Sequence, residues 1–365
     1  MRIQALVAEG IRNLEPLQLA PRERFNVFVG DNGQGKTNLL EAMCVLAALR
    51  SFRTSKLGDL VRFGSASAKL GARVLKDELT RVYEVELAPG SRKVRLDGKA
   101  VRPLARYFGG FNVVVFTPED LALPRGEPAD RRRFLDRGVF NLEPAYLSVA
   151  SDFDKVLRTR NSVLKQAGQG LLGGGQLDEL LAVYDTQLAG LAVQIVAARR
   201  RFLSVLAPAL MQAFAEITRT GLVAAARYAS KLVGLTAAEF ELQLHSSRAR
   251  DLGAQSTQLG PHRDDIVLEL EGREAGSFAS QGQLRAIMLA WKTAELSVLG
   301  RAHGDPPILL LDDVSSELDP SRNEYLFEHL ANLASQCFIT TTHASHVLLH
   351  RDRADYRIAN GRIAE

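Results

Sequence analysis

The chain has only two cysteines in 365 residues, and this scarcity excludes two kinds of architecture. Cys44 and Cys337 cannot build a disulfide framework or a four-cysteine zinc site. Low cysteine usage is also typical of proteins in a reducing compartment. Both side chains are therefore expected to be small buried hydrophobic groups.

A strong net charge is missing as well. The 46 Lys and Arg residues nearly balance the 42 Asp and Glu residues, and the resulting charge of +4 does not by itself indicate a nucleic-acid partner. With 46% hydrophobic and 24% charged residues, the composition excludes disordered and collagen-like chains. At about 150 residues per domain, the length allows two domains.

Long apolar runs are also absent. The longest, residues 39–49 and 188–198, are interrupted by Glu41 and Gln194 and fall short of the ~18 residues that span a bilayer. Polar residues break every apolar run near the start, so no signal peptide is expected. The sequence predicts a soluble cytoplasmic protein.

The hydrophobic pattern predicts an α/β chain with an antiparallel β lobe and a helical middle part. In the N-terminal third it predicts strands at residues 25–29, 68–75, 81–87 and 113–116. Asp97-Gly98 predicts a hairpin turn inside residues 93–101. The last third alternates between strand and helix, as parallel βαβ units do; the predicted elements are strand 266–270, helix 283–299, strand 308–311, helix 321–334 and strand 338–342.

The middle of the chain changes to a helical period. From Tyr146 to Ala167, apolar residues recur at intervals of three and four residues. A second apolar stripe, with a nearly regular heptad spacing, runs from Leu177 to Phe202. A glycine-rich segment at 171–175 separates them. They predict two antiparallel helices of about 30 residues and ~45 Å each. A projecting hairpin and an ordinary helical subdomain both fit this pattern.

Residues 30–37 match the phosphate-binding pattern G-x-x-x-x-G-K-[ST], between an apolar strand and an apolar helix. In such a loop the glycines allow backbone N–H groups to wrap phosphates at a helix N-terminus. Lys36 is expected to reach the β and γ phosphates of a nucleoside triphosphate, and Thr37 to ligate Mg²⁺. The predicted nucleotide-binding residues are Gly30, Asp31, Asn32, Gly33, Gln34, Gly35, Lys36 and Thr37.

Two further segments carry site candidates. The apolar strand at 308–311 ends in Asp312 and Asp313, which suit a Mg²⁺ ligand and a carboxylate that orients the attacking water. Ser280, Gln281, Gly282 and Gln283 open an amphipathic helix. A helix N-terminus is an anion site, and because the loop at 30–37 already supplies one, a second site suggests sharing between subunits.

The order of these segments resembles the Walker A, signature, Walker B and D-loop of ATP-binding-cassette ATPases, with residues 316–319 as the D-loop. The interval between Lys36 and Ser280 is long enough for an inserted domain. Nearly the full length is similar to the RecF family, bacterial recombination-mediator ATPases of the SMC-like branch. The stretches that carry this resemblance are 11–14, 116–121, 131–136 and 260–265.

The resemblance implies roles for the candidate residues. It implies that the loop binds ATP and Mg²⁺, that Thr37 and Asp312 ligate the metal, and that Asp313 is the catalytic carboxylate with His343 as switch histidine. It also implies that the 280–283 stretch contacts the γ phosphate of the opposite protomer in an ATP-dependent homodimer. Gln281 replaces a consensus glycine, and Asp313 replaces a consensus glutamate. The shorter carboxylate reaches the water less easily, so slow hydrolysis is expected, and the resemblance implies that this hydrolysis depends on DNA.

The same resemblance implies DNA as a partner. RecF proteins bind duplex DNA, act at gaps and single/double-strand junctions with RecR and RecO, and assist recombinase loading in repair and replication restart. Candidate phosphate contacts are Arg50, Arg53, Lys56, Arg62, Arg131 to Arg133 and Arg199 to Arg201. The implied organisation is a discontinuous ATPase head, 1–141 and 253–365, around a helical domain at 142–252.

Two alternatives remain open at this point. The first is a P-loop kinase or other metabolic transferase. Such an enzyme needs a pocket for the acceptor substrate, and it does not need a signature motif that binds the nucleotide of a second subunit. The second is a scaffold that binds ATP without hydrolysing it. Such a scaffold does not need the acidic residues Asp312 and Asp313, so their presence argues against it.

Overall fold

The computed structural model describes residues 1–54 and 56–364. The chain forms two compact units. Unit 1 comprises Met1–Ala122, Ala209–Gly221 and Ser280–Glu365, and unit 2 comprises Leu123–Pro208 and Leu222–Ala279.

Within the described residues the strands are β1 (Arg2–Glu9), β2 (Leu17–Leu19), β3 (Phe25–Val29), β4 (Ala68–Lys76), β5 (Leu79–Ala88), β6 (Ser91–Leu96), β7 (Lys99–Ala100), β8 (Val113–Phe116), β9 (Ala224–Ala229), β10 (Asp265–Leu270), β11 (Arg273–Glu274), β12 (Ile308–Asp312), β13 (Cys337–Thr341), β14 (Arg353–Ala359) and β15 (Arg362–Ala364). The α-helices are α1 (Lys36–Ala48), α2 (Pro118–Ala122), α3 (Pro128–Leu142), α4 (Tyr146–Gly168), α5 (Gly174–Thr218), α6 (Ala237–Ala254), α7 (Ala275–Phe278), α8 (Gln281–His303) and α9 (Pro320–Tyr325).

Unit 1 contains a mostly parallel sheet in the order β15-β14-β3-β13-β12-β8. Strands β14, β3, β13, β12 and β8 run parallel, so their carboxyl ends share one edge of the sheet. Every residue of β12 and β13 is buried, as expected for central strands covered on both faces. This edge receives the loop after β3 and the acidic residues after β12.

A second sheet of unit 1 is antiparallel, in the order β2-β1-β4-β5-β6-β7. Its β4 alternates buried and exposed residues, so one face packs on the core and the other meets solvent. Asp97 and Gly98 both have positive φ between β6 and β7, which confirms the predicted hairpin.

Unit 2 consists of helices and a three-stranded antiparallel sheet, β11-β10-β9. Helix α4 packs against α6, and the predicted pair of helices is therefore part of a larger helical subdomain. The two arms are unequal: α4 has 23 residues and α5 has 45, against the predicted 30 each. Buried apolar residues continue along α5 beyond Phe202, the last residue of the predicted stripe, as far as Phe214.

Several predicted elements need correction. Strand β10 pairs antiparallel with β9 and β11, so the prediction of a parallel βαβ strand there is wrong. The predicted helix at 321–334 is broken into α9 and two short irregular helical turns at Leu326–Leu330 and Ala331–Leu333. The predicted strands at 25–29 and 113–116 coincide with β3 and β8.

The boundaries of the compact units also differ from 142–252. Unit 2 starts at Leu123 and ends at Ala279, because β10 and β11 pair with β9 and belong to the same sheet. The proposed domain limits followed the change of hydrophobic period, which does not register this pairing between distant strands.

One helix among the described residues, α5, is long and apolar enough to span a membrane by length and composition alone. Polar residues interrupt the apolar residues of this helix, so it contains no long uninterrupted apolar run. Asp185 and Arg199 on α5 are buried and paired with Arg160 and Asp136, respectively. These charged contacts are typical of a helix packed inside a folded protein.

Candidate nucleotide-binding site

Two glycines shape the loop between β3 and α1. A Cβ on Gly30 would lie 2.2 Å from the carbonyl oxygen of Ile358, so the loop leaves β3 in direct contact with the neighbouring strand backbone. Gly35 has φ of 108°, a conformation that other residues rarely adopt. Together they hold the loop in a tight turn around the start of α1.

The N-terminus of α1 lies inside this turn. No side chain among the described residues caps it, which leaves the first-turn N–H groups and the helix dipole directed at the loop. Lys36 donates hydrogen bonds to the carbonyl oxygens of Gly30 and Asp31, the second at 3.0 Å. Burial lowers the pKa of Lys36, and the charges of Asp313, Asp312 and Asp31 oppose that shift. The loop thus concentrates N–H donors and one ammonium group, which suits phosphate oxygens.

Asp312 receives hydrogen bonds from two hydroxyl groups. Thr37 donates to its Oδ1 at 2.9 Å, and Thr340, at the end of β13, donates to the same atom at 2.7 Å. Burial raises the pKa of Asp312, the two hydroxyl bonds oppose that rise, and the charges of Glu119 and Asp313 add to it. The sheet edge therefore brings three separate segments to one carboxylate.

Asp313 has an unusual backbone conformation, with φ of 51°. Its N–H donates to the carbonyl oxygen and to the hydroxyl of Thr340, both at 3.1 Å. Its Oδ1 is buried and has no hydrogen-bond partner among the described residues. The backbone of Asp313 is thus fixed while one carboxylate oxygen stays uncommitted.

The residues around Asp312 fit a magnesium ion. The hydroxyl of Thr37 and the carboxylate of Asp312 are oxygen ligands, the type that Mg²⁺ prefers. Within the described parts of the chain, no group of three His, Cys, Asp or Glu residues has the spacing of a metal cage. A cation bound by one or two protein oxygens together with nucleotide phosphates and water is the usual Mg²⁺ arrangement.

The 280–283 stretch forms a capping box at the start of α8. Ser280 Oγ accepts a hydrogen bond from the N–H of Gln283 at 3.2 Å, and Gln283 Oε1 accepts one from the N–H of Ser280 at 2.8 Å. Because the hydroxyl acts only as an acceptor in this cap, its own hydrogen is free to donate to another molecule. The two capping bonds fix the helix N-terminus, and the exposed Ser280 hydroxyl keeps a hydrogen that it can donate.

The D-loop segment contacts this helix within unit 1. A Cβ on Gly282 would lie 3.3 Å from the guanidinium of Arg322, which pairs with Asp319. One turn later, Arg285 pairs with Glu317 at 3.1 Å. The signature and D-loop segments are thus held together in one subunit.

His343 follows β13 at the same sheet edge and is exposed. Its N–H donates to the hydroxyl of Thr341 at 3.3 Å, and its ring lies 5.3 Å from that of His346 in an edge-to-face arrangement. The structure places it near the site through β13 and does not pair it with Asp312 or Asp313 in any described contact.

The comparisons with known proteins agree with this geometry. A family profile described as the RecF/RecN/SMC N terminal domain matches residues 2–360. The DNA replication and repair protein RecF of Myxococcus xanthus (strain DK1622) is 43% identical over 94% of this chain and 92% of its own length. The chain belongs to the RecF family. The RecF of Geobacter sp. (strain M21) is 37% identical over the full length of both chains.

Solved structures extend the relationship to the fold. The structure of the recombination mediator protein RecF-ATP in the RecFOR pathway aligns over 99% of this chain and 96% of that chain, with a TM-score of 0.88 and 31% identity. An Smc head bound to the C-winged helix domain of ScpA aligns over 100% of this chain and 98% of that chain, with a TM-score of 0.56 and 14% identity, which shows the fold alone. The predicted α/β class and the RecF resemblance are confirmed.

The structure changes the interpretation of the basic clusters in this RecF-family chain. Arg131 forms a two-bond ion pair with Asp265 at 2.8 and 2.6 Å. Arg199 is buried, and it bonds to Asp136 at 2.8 and 3.0 Å and to the carbonyl oxygen of Pro261. These arginines stabilise unit 2 and are wrong as candidate DNA contacts.

Other members of the clusters remain at the surface. The exposed arginine and lysine residues among the candidates are Arg53, Lys56, Arg133, Arg200 and Arg201. Arg201 pairs with Glu143 and Arg133 with Asp130, both in solvent-exposed geometry that stabilises little. These exposed side chains stay candidate phosphate contacts, together with the half-buried Arg50, Arg62 and Arg132.

Sequence reasoning missed several side chains that shape the nucleotide site. Asn13 donates to the carbonyl oxygen of Gly33 at 2.7 Å and accepts a hydrogen bond from Asn38 at 2.7 Å. Thr340 lies inside the predicted strand 338–342 and was not predicted as a site residue, yet it bonds to Asp312. Asn13 and Thr340 are distant from the loop in the sequence and meet the site residues only in the folded chain. The only sequence signal for Asn13 was the short RecF-like stretch at 11–14.

Proposed function

We propose that this chain is an ATP-dependent DNA-binding protein of recombinational DNA repair and replication restart. The curated relatives are named DNA replication and repair protein RecF, and they span nearly the whole chain at 36–43% identity. A solved relative is described as RecF-ATP in the RecFOR pathway, which supports ATP as the nucleotide and RecO and RecR as partners.

One observation carries the proposal for ATP chemistry. The hydroxyl of Thr37, in the first turn after the loop, bonds to Asp312 at the end of β12. This contact joins a phosphate-binding loop to an acidic strand end, as P-loop ATPases require. In this proposal Thr37 and Asp312 hold Mg²⁺, and residues 30–37 bind the phosphates.

Hydrolysis is assigned to Asp313, with His343 as the switch residue. Asp313 has an uncommitted buried oxygen, which can accept a proton from an attacking water. An aspartate is one carbon shorter than a glutamate and reaches that water less easily. We therefore expect slow hydrolysis. Stimulation of this hydrolysis by DNA is a further part of the proposal.

ATP also acts as the contact between two subunits. The rigid N-terminus of α8 supplies N–H donors, and Ser280 supplies a hydroxyl, to the γ phosphate bound by the opposite subunit. Gln281, Gly282 and Gln283 form the rest of this surface. The homodimer would then close on gapped DNA or a single/double-strand junction, assist recombinase loading there, and act in the cytoplasm.

The alternatives from the sequence are less well supported. A metabolic kinase does not account for relatives named for DNA replication and repair. A scaffold without hydrolysis leaves Asp313 without a role. The proposal keeps a discontinuous ATPase head, predicted at 1–141 and 253–365, around an inserted domain; the limits predicted for that domain, 142–252, lie inside the outer limits of unit 2, Leu123 and Ala279.

Fluorescence anisotropy of a labelled gapped duplex tests the proposed function. Binding is measured with ATP, with ADP and without nucleotide, and ATP is expected to give the highest affinity. Lys36→Ala should lose the ATP effect, whereas Lys93→Ala, an exposed lysine on β6, should keep it. Equal affinity in all three nucleotide states would contradict the proposal.

A further inference from the structure

A buried cluster of three charged side chains lies between α2 and α8 in unit 1. Lys292 Nζ is 3.4 Å from Asp120 Oδ2 and 3.3 Å from Glu295 Oε2, and the three side chains are 3–5% exposed. Phe116 closes the cluster, with its ring centre 5.9 Å from the ammonium nitrogen. Such a buried ionic cluster adds little net stability over apolar side chains, so its presence calls for another explanation.

The cluster links the helix that begins at the proposed subunit contact, α8, to the helix that follows the turn beside Asp312, α2. Glu295 lies on α8 with Lys292, one turn further along, so their contact stays within the helix. Asp120 lies on α2, so its contact with Lys292 crosses from one element to another. The Lys292–Asp120 ion pair therefore joins α8 to α2, and it can transmit a movement of α8.

The α2 end of this link lies beside Asp312. Strand β8 pairs in parallel with β12, with Phe116 opposite Leu311, so the residues after β8 emerge next to Asp312 at the sheet edge. Asp120 holds this turn by accepting a hydrogen bond from the N–H of Thr117 at 3.4 Å. Glu119, next to Asp120, is exposed and acts electrostatically on Asp312.

The α8 end of the link is the proposed subunit contact. Helix α8 begins after the Ser280 cap, and Lys292 lies about 18 Å along it. Most residues of α8 from Leu284 to Leu299 are buried, so the helix moves as a rigid rod. A displacement of α8 at Ser280 therefore also displaces Lys292.

We propose that Lys292 is a positioning residue for ATP hydrolysis: its ion pair with Asp120 ties the helix that begins at Ser280 to the turn that carries Glu119 beside Asp312. Seating of α8 on the nucleotide of a second subunit then sets the position of Glu119. The negatively charged Glu119 therefore takes its position near the reacting phosphate only after the dimer has formed. This inference rests on the proposed ATP-dependent dimer.

Two matched variants test the link. Asp120→Asn and Glu295→Gln each remove one negative charge from the same buried cluster, but only the first weakens the contact between the two elements. Asp120→Asn is expected to lower kcat for ATP about tenfold in the presence of duplex DNA, with KM and the affinity for a fluorescent ATP analogue unchanged. Glu295→Gln is expected to keep kcat within about twofold of wild type.

Equal loss in the two variants, or no loss in Asp120→Asn, would overturn the inference. Thermal unfolding of both variants establishes that they fold. Should Asp120→Asn fail to fold, Glu119→Gln serves instead, because Glu119 is exposed; an unchanged kcat there would also overturn the inference.

A double variant tests the route of the coupling. If Asp120 acts through Glu119, adding Asp120→Asn to Glu119→Gln should lower kcat by less than a further twofold. If the fold-losses in kcat of the two single variants multiply in the double variant, Asp120 does not act through Glu119.

The two proposals fail in distinguishable ways. A wild-type chain that neither hydrolyses ATP nor dimerises with it would refute the proposed function. Normal wild-type hydrolysis with equivalent Asp120→Asn and Glu295→Gln variants would refute only the inference about Lys292.

Discussion

Thr37 and Asp312 lie 275 residues apart in the sequence and share a hydrogen bond of 2.9 Å. Thr37 is in the first turn of α1, and Asp312 ends β12. The contact exists because β13 lies between β3 and β12, and Thr340 at its end bonds to the same carboxylate. The nucleotide site is therefore assembled by the parallel sheet rather than by any continuous segment.

Removal of the loop lysine should abolish nucleotide binding. Lys36→Ala is expected to lower ATP affinity at least ~100-fold, since charge-assisted hydrogen bonds contribute about 1.5–3 kcal/mol each. Isothermal titration calorimetry measures this directly. Lys93→Ala is the control and should bind normally, and wild-type affinity in Lys36→Ala would remove the loop from the ATP site.

A bulky charge at the start of α8 should separate ATP binding from dimerisation. Ser280→Arg is expected to bind ATP normally, because Ser280 does not contribute to its own subunit's loop, but to remain monomeric by light scattering. Ser280→Thr retains both the cap and the hydroxyl, and should still dimerise. Normal ATP-dependent dimers of Ser280→Arg would refute the shared site.

Replacement of the second acidic residue should trap the ATP-bound dimer. Asp313→Asn keeps the shape of the side chain and removes its basicity, so hydrolysis should fall about 100-fold while dimers persist. Asp312→Asn is the comparison, and should weaken Mg²⁺-dependent ATP binding instead. Unchanged hydrolysis in Asp313→Asn would assign catalysis to a different group.

DNA affinity should fall steeply as salt rises. The exposed candidates are arginine and lysine side chains, which neutralise phosphates, so binding is expected to rest on the phosphate backbone. Each neutralised phosphate contributes about −0.9 to the slope of log affinity against log salt concentration. A flat response in anisotropy titrations would contradict backbone recognition.

The stability of unit 2 should depend on the protonation of His262. Burial lowers the pKa of this histidine from 6.5 to about 4, and its Nε2 bonds to the carbonyl oxygen of Thr257 at 3.0 Å. Above pH 6.5 the ring is neutral in both states; as pH falls toward 4, the unfolded chain binds a proton that the folded chain does not. The folded state should therefore lose up to about 2 kcal/mol between pH 7 and pH 5.

Urea unfolding at the two pH values measures this loss. His262→Gln should reduce the pH dependence, and His245→Gln, an exposed histidine on α6, should leave it as in wild type. Equal pH dependence in all three proteins would contradict the assignment.

Local signals in the sequence were sufficient for part of the fold. The apolar runs that form β3 and β8 and the Asp97-Gly98 turn depend on neighbouring residues alone, and their positions were correct. Strand β10 was located but given the wrong partner, because its pairing with β9 joins segments separated by α6. The residues of one strand do not show which distant strand it pairs with.

The same limit applies to charged residues. Arg199 and Arg200 are adjacent in the sequence, yet Arg199 is buried against Asp136 and Arg200 is exposed, because neighbouring helix positions face different directions. The motifs located Lys36, Thr37 and Asp312 correctly as neighbours in one site. The roles of Thr340 and Glu119 depend on strand register, which motif spacing does not contain.

Sedimentation velocity with ATP, ADP or no nucleotide, each with and without duplex DNA, tests the central claim most directly. The account predicts a dimer only with ATP, and co-sedimentation of DNA with that dimer. A monomer under all conditions, or the same dimer and the same DNA binding with ATP, ADP and no nucleotide, would contradict it.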